Sequence, residues 1–271
     1  MRQLKYEKLI NTLKSMGKVA VAFSGGVDSA FLLKAAMEAL GRENVLSITV
    51  KSQVVTDTEM KDIETLAKLL NARHLVLKMD IFSLPQFRSN PIDRCYFCKK
   101  HIFKEIIKAA SQRGFDVIID GTNADDEGDF RPGIKALAEL KVISPLKDCG
   151  LTKEDIRELS KELGLPTHDK PSLACLASRI PYNEEITEEK LKMTAAGENY
   201  LRNLGFKQVR VRCHGNIARI ELSPEDFHLV FENKLNIQIN NHFKYLGFKY
   251  VALDLEGYRT GSLNEDVINN G

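Results

Sequence analysis

Cys95 and Cys98 stand three positions apart in the run RCYFCKK, with Arg94, Lys99 and Lys100 around them. Two thiols at that spacing can share a metal ion or cluster, or close a reversible disulfide. The sequence after them keeps helical periodicity to about Gly114, so both sulfurs fall on one face of a helix's first turn. There the helix dipole and Lys99 favour thiolate over thiol. A structural zinc site normally needs four ligands, and no second CxxC or HxxxH pair follows. A third sulfur has to come from a distant part of the chain. Cys175 is the best candidate, because KPSLACLASRIP reads as a loop whose small residues let another group approach. Cys149, beside a glycine turn, and Cys213, alternating with arginines on a strand, read as small apolar fillers. Three thiolates with no fourth is the pattern of a [4Fe-4S] cluster with one iron open to exogenous sulfide. The competing readings are a zinc ion completed by His101 or water, and a disulfide between Cys95 and Cys98.

A second chemical centre lies in VAVAFSGGVDSAFLLKAA. An apolar strand ends at Phe23, Ser24-Gly25-Gly26 turns without side-chain obstruction, and a helix begins near Asp28 and Ser29. Backbone N–H groups and a helix N-terminus then converge on one point, which suits an anion. The run has neither the lysine of a Walker loop nor a GxGxxG pattern. In DGTNADD, Gly121, Thr122 and Asn123 follow another predicted strand, and Asp125 and Asp126 are available for metal or ribose. A third group is cationic. Arg210 and Arg212 share one face of a strand, where two guanidiniums can hold phosphate in a fork. Arg179, four residues after Cys175, and Lys99, next to Cys98, could bring that pocket to the sulfur chemistry, and Glu198 could orient the arginines.

The elements that must position these groups alternate. KVAVAF, NVLSITV, RHLVLKM and DVIID read as strands separated by helical patterns, so the fold class is α/β with a parallel sheet and helices on both faces. TKEDIRELSKELG starts as a capping box and stops before Pro166. The expected division is a first domain over 1–170, a cysteine-bearing functional loop and linker over 171–186, and a smaller α+β domain over 187–271. In the last, KQVRVRCH, IARIELS and FKYVALDLE read as strands. The 271 residues carry a formal charge of +2, which argues against nucleic acid as the main partner. An odd count of 5 cysteines does not suit a secreted disulfide framework. With no stretch of membrane-spanning length and no signal-like start, a cytoplasmic enzyme is expected.

SGGVDS after a buried strand resembles the PP-loop of the ATP pyrophosphatases, the superfamily of GMP synthetase, NAD synthetase and the tRNA thiolation enzymes. The resemblance implies a Rossmann-like domain whose loop grips the pyrophosphate of ATP with Mg²⁺ while AMP is transferred to an acceptor oxygen. It also implies adenosine contacts at Lys51 and Ser52. With RCYFCKK, DGTNADDEGDFRPG, KPSLACLASRIPYNEEIT, QVRVRCHGNIARIEL and DLEGYRTGSLNE in that order, the chain resembles the LarE family over nearly its whole length.

That resemblance implies adenylation of a carboxylate of pyridinium-3,5-biscarboxylic acid mononucleotide, followed by displacement of AMP by sulfur to give a thiocarboxylate. It also implies a homo-oligomer. Sacrificial members give up the sulfur of the cysteine matching Cys175 and have no cysteine at the position of Cys95. Cys95 therefore matches the branch in which three cysteines, here Cys95, Cys98 and Cys175, hold a cluster that carries the sulfide. Two rivals remain at this level: a tRNA-thiolating PP-loop enzyme and a non-catalytic zinc-containing nucleotide sensor.

Overall fold

The run VAVA has no polar side chain, and in the computed structural model it forms the inner strand β1 (Val19–Ala22), with Val19, Ala20 and Val21 completely buried. A strand covered on both faces is the natural member of a parallel sheet. Around it in chain order come α1 (Arg2–Met16), α2 (Val27–Leu40), β2 (Val45–Lys51), α3 (Asp57–Leu69) and β3 (His74–Lys78). Next are α4 (Pro85–Arg88), α5 (Arg94–Ser111), β4 (Val117–Ile119), α6 (Pro132–Glu139), α7 (Pro145–Asp148) and α8 (Lys153–Glu162). The remainder is α9 (Glu188–Asn203), β5 (Val209–His214), β6 (Ile217–Leu222), α10 (Phe227–Phe231), α11 (Leu235–Tyr245) and β7 (Tyr250–Leu253). The structure describes residues 2–128, 132–170, 174–259 and 263. The parts of DGTNADDEGDFRPG, KPSLACLASRIP and DLEGYRTGSLNE at 129–131, 171–173, 260–262 and 264–265 lie outside the described residues.

The elements form two units, Met1–Asp80 with Asp93–Leu173, and Ile81–Ile92 with Ala174–Gly271. In the first unit the sheet has the order β3-β2-β1-β4 and is parallel throughout. Strand alternation sends Val19 and Val21 into one core with α1, α2, α3 and α8. It sends Ala20, Leu46, Ile48 and Ile118 into a second core with Phe103 and Ile106 of α5. Two cores on two faces make this the Rossmann-like arrangement expected from the sequence. The strand ends that precede α2 and follow β4 leave their loops on the carboxyl edge, where such sheets bind ligands. The helices are started by local chemistry as well as packing. Thr56 with Glu59, and Thr152 with Asp155, form reciprocal capping boxes on α3 and α8.

In the second unit β5 pairs antiparallel with β6, and β6 pairs parallel with β7. Leu201, Val211, Leu222 and Phe243 are completely buried there. Residues 81–92 belong to this unit although the first unit's elements flank them in the chain. Buried Asn90 explains the attachment, since its side chain donates to the carbonyls of Ile180 at 3.3 Å and Pro181 at 2.6 Å. Backbone bonds from Asn183 N to Asn90 O at 2.8 Å and from Ile186 N to Arg88 O at 2.9 Å continue it. Among the described residues, no helix is long and apolar enough to cross a membrane.

Candidate active site

Gly25 has φ +69°, and a Cβ there would lie 2.6 Å from Ile63 Cγ1, so both the backbone and the space demand glycine. Gly26 caps α2 without a side-chain bond, leaving first-turn N–H groups for another acceptor. The Ser24 and Ser29 hydroxyls are 3.1 Å apart, and Ser29 Oγ donates to the Gly26 carbonyl at 3.2 Å. These bonds tie the turn to the helix it opens. Gly121 packs onto the same helix start, where a Cβ would come within 3.0 Å of the Ser29 nitrogen. Ser24, Gly25, Gly26, Asp28, Ser29 and Gly121 therefore share one small region.

The loop after β4 completes it. Buried Asp120 accepts from Thr122 Oγ1 and Ser144 Oγ, both at 2.6 Å, so the Thr122 hydroxyl serves the loop itself. Asn123 N donates to Asp126 Oδ2 at 3.2 Å, and Asp125 N donates to Asn123 Oδ1 at 3.0 Å. Burial, and then the charge of Asp126, raises the Asp28 pKa, while Asn123, Lys153 and Arg157 oppose the shift. Asn123 is fully buried, and its Nδ2 faces this acid pair without meeting hydrogen-bond geometry to any partner. Two neighbouring acids, an amide donor beside Asp28, Lys153 3.3 Å from Asp126 and a helix start without a side-chain cap fit a polyphosphate carried with a divalent cation. On the second strand's edge, Ser52 is buried, whereas the exposed Lys51 ammonium bonds Asp57 at 2.8 Å.

The two helix-borne thiols sit where the spacing put them. α5 begins at Arg94, and Cys95 and Cys98 are half-buried on its first turns. Lys99 lays its stem against Gly133, and Lys100 is engaged by Tyr96 and Glu139, both at 2.6 Å. His101 is half-buried on the same helix. Cys175 belongs to the second unit and is exposed, immediately before a 3-10 turn at Leu176–Arg179 whose Leu176 and Ala177 are buried. Cys149 and Cys213 are packed inside, and burial pushes the Cys213 thiol up to about 11, which suits fillers better than ligands. None of the 5 cysteines is in a disulfide. Among the described residues, no three His, Cys, Asp or Glu side chains are grouped to hold a metal ion. Cys95, Cys98 and Cys175 are the cysteines not sealed in apolar packing, and thiolate is the kind of ligand an iron-sulfur cluster takes.

The cationic residues of the second unit are interior, not on an open sheet face: Arg179, Arg210 and Arg212 are 3%, 7% and 5% exposed. Arg179 meets Glu198 through Nε at 2.7 Å and Nη2 at 3.0 Å, and Arg202 shares that carboxylate at 2.9 Å. Burial by itself would raise the Glu198 pKa, but the bond and charge of Arg179, then Arg202 and Arg210, carry it below the usual range. Arg212 pairs with Glu221 in the same forked way, at 2.9 and 3.2 Å. Arg210 is different. It reaches the Tyr258 hydroxyl at 3.3 Å and lies 5.3 Å from that ring's centroid.

Residues 5–95 match the NAD synthase family. An uncharacterized protein of Synechocystis is 40% identical, with 97% of this chain and 98% of the relative covered. The pyridinium-3,5-bisthiocarboxylic acid mononucleotide synthase of Lactiplantibacillus plantarum is also 40% identical, with 97% of this chain and 95% of the relative covered. An uncharacterized protein of Methanocaldococcus jannaschii is 33% identical over 94% of this chain and 98% of its own length. The chain belongs to the LarE family. It is an enzyme, built on a PP-loop nucleotide-binding unit.

Three residues of this LarE chain were missed from sequence. Lys170 Nζ is 3.3 Å from the Gly25 carbonyl, and Arg157 fixes the backbone there with bonds to the His168 and Lys170 carbonyls, both at 2.8 Å. Its one signal was a cation in a proline-rich stretch after α8. Glu221 was legible in principle, because Arg210 lies opposite Glu221 and Arg212 opposite Arg219, putting all four on one face. Tyr258 had no local signal, since only the return of the chain over β6, with Tyr258 N on Leu222 O at 2.7 Å, brings it to Arg210.

Proposed function

We propose that this LarE enzyme uses ATP to adenylate a carboxylate of pyridinium-3,5-biscarboxylic acid mononucleotide and then converts it to a thiocarboxylate. The observation that carries this reading is full-length similarity to a relative named for the bisthiocarboxylated product. The uncapped start of α2 beside Ser24, Gly25 and Gly26 supports it, because the step needs pyrophosphate held as it departs. A carboxylate oxygen attacks the α-phosphorus, the α–β bond breaks, and pyrophosphate leaves with the electron pair. The carboxylate thereby acquires a good leaving group. Sulfide sulfur then attacks the acyl carbon, and the C–O bond breaks toward AMP.

Asp28 and Asp126 would hold Mg²⁺, which neutralises charge on the departing pyrophosphate. Gly121 allows close approach to the helix start, Asn123 offers its buried amide, and Thr122 fixes the loop. Lys51 and Ser52 would meet the adenosine. Of the arginines expected at the phosphate of the mononucleotide, Arg179 and Arg212 already bond Glu198 and Glu221, so Arg210 would receive it, with Lys99 as a further cation. Cys95, Cys98 and Cys175 would hold a [4Fe-4S] cluster as thiolates. When bound, such a cluster supplies an open iron site for exogenous sulfide.

The test is anaerobic purification with iron and acid-labile sulfide assays, then turnover with ATP, the mononucleotide and sulfide. Equal release of AMP and pyrophosphate with thiocarboxylate formation, at unchanged protein mass, is the expected result. Loss of the elements of H₂S from Cys175 would replace the cluster by a sacrificial route. Absence of pyrophosphate release would remove the adenylation reading.

A further inference from the structure

We infer that two buried ion pairs, Arg179–Glu198 and Arg212–Glu221, are positioning devices for the Cys175 loop, and that Arg210 is the guanidinium left for the substrate anion. In each pair the glutamate takes Nε and Nη2 of the arginine, which fixes the guanidinium plane and aims the remaining nitrogen. That nitrogen goes to the cysteine loop both times. Arg179 Nη1 donates to the carbonyls of Ala174 at 2.8 Å and Cys175 at 3.1 Å, and to Ser178 Oγ at 3.1 Å. Arg212 Nη1 donates to the Ser178 carbonyl at 2.6 Å.

Asn90 takes the carbonyls of Ile180 and Pro181 from the other end of the same loop. The result is a backbone fastened at 174, 175, 178, 180 and 181 around a cysteine that is itself exposed. Buried ion pairs give little net stability over apolar packing, so a doubled arrangement of this kind is better explained by the geometry it specifies. Arg210 lies among the same groups without a carboxylate bonded to it among the described residues. An anion of the substrate would complete its set of partners. Tyr258 holds it by ring face and hydroxyl without cancelling its charge.

The consequence for sulfur transfer rests on the function proposed above, whereas the state of the loop can be read without it. The experiment compares Arg179→Lys, Arg212→Lys and Arg210→Lys in the full chain by amide hydrogen exchange and by steady-state kinetics. The lysines keep the charge opposite Glu198 and Glu221 but lose the aimed third nitrogen. Exchange in the peptide covering 174–181 should quicken about tenfold in Arg179→Lys and Arg212→Lys, with α9 and β5 unchanged. Thiocarboxylate formation should fall while the KM for the mononucleotide in pyrophosphate release stays put. Arg210→Lys should raise that KM about tenfold and leave exchange in the loop alone. Unchanged loop exchange in both clamp variants overturns the positioning role, as does faster exchange spread over the whole unit. A KM rise in the clamp variants matching that of Arg210→Lys overturns the division of labour. If no variant and no unaltered enzyme releases pyrophosphate, the functional reading fails, and the exchange comparison still decides the loop.

Discussion

At the glycine loop two acids, Asp28 and Asp126, are held near each other, and the first resists ionisation because of burial and then its neighbour. Around the cysteine loop each buried glutamate bonds two arginines, Glu198 with Arg179 and Arg202, Glu221 with Arg212 and Arg219. One region keeps two neighbouring acids close together, with Lys153 3.3 Å from Asp126; the other joins each buried carboxylate to two guanidiniums. A site that waits for a mobile, highly charged ligand gains by leaving groups unsatisfied, since ligand binding then relieves them. A site that must present one sulfur in one direction gains by fixing the backbone around it.

The largest effect expected from this contrast is on the closed side. Glu221→Ala strands the buried Arg212 and removes a partner of Arg219, so urea unfolding should show a loss of about 3–5 kcal/mol. A loss near zero would mean that the network is wet and the contrast false. On the open side the strongest change is Gly25→Ala, which puts a Cβ against Ile63 and forces a left-handed backbone on a residue that avoids it. Pyrophosphate release should drop by about 100-fold through displacement of the loop amides. Retained release would show that those amides do not hold the phosphates.

Asp28→Asn sharpens the comparison by reversing the usual sign of a mutation. Removing an acid that burial and Asp126 oppose should stabilise the ligand-free protein, seen as a raised Tm, while abolishing metal-dependent pyrophosphate release. The pH dependence fixes the cause. The folded pKa of Asp28 lies above its unfolded value, so its stabilising contribution is full below the unfolded pKa and is lost as pH rises through the raised value. The advantage of the variant should therefore vanish in acid and grow as pH rises through that interval. Glu198 behaves oppositely, because its folded pKa is lowered: its contribution is present above the ordinary carboxylate range and is lost as pH falls through the lowered value. Equal stability of Asp28→Asn and the unaltered chain at neutral pH would remove the strain from the open side.

Much of the open region was legible in the sequence, and the reason is locality. Val19 to Ser29 contains its own strand, turn and helix start, and the parallel strands announce themselves by unbroken apolar runs. The closed region was legible only as parts. Arg179, Arg210, Arg212 and Glu198 could be named, but their partners depend on contacts between residues far apart in the chain, such as Arg212 with the Ser178 carbonyl. Arg212 and Glu221 sit on adjacent strands, so their pairing becomes visible once the hairpin register is fixed, not from either strand alone. Residues 81–92 show the same limit. Their place in the second unit rests on Asn90, whose side-chain partners come 90 and 91 positions later.

The smallest effect expected is at Lys51, which separates exposure from function within the open region. Its ammonium bonds Asp57 at 2.8 Å, and this contact, then the charge of Asp57, raises the Lys51 pKa. Both partners are solvent-exposed, so salt screens the pair and its two flexible side chains lose entropy in making it. Lys51→Met should leave the urea midpoint where it is. If the lysine meets the adenosine of ATP as proposed, the KM for ATP should rise about two- to fivefold at low salt, and less when salt already weakens the contact. A moved midpoint with an unmoved KM would make Lys51 a structural residue and confine the nucleotide site to the glycine loop and the loop after β4.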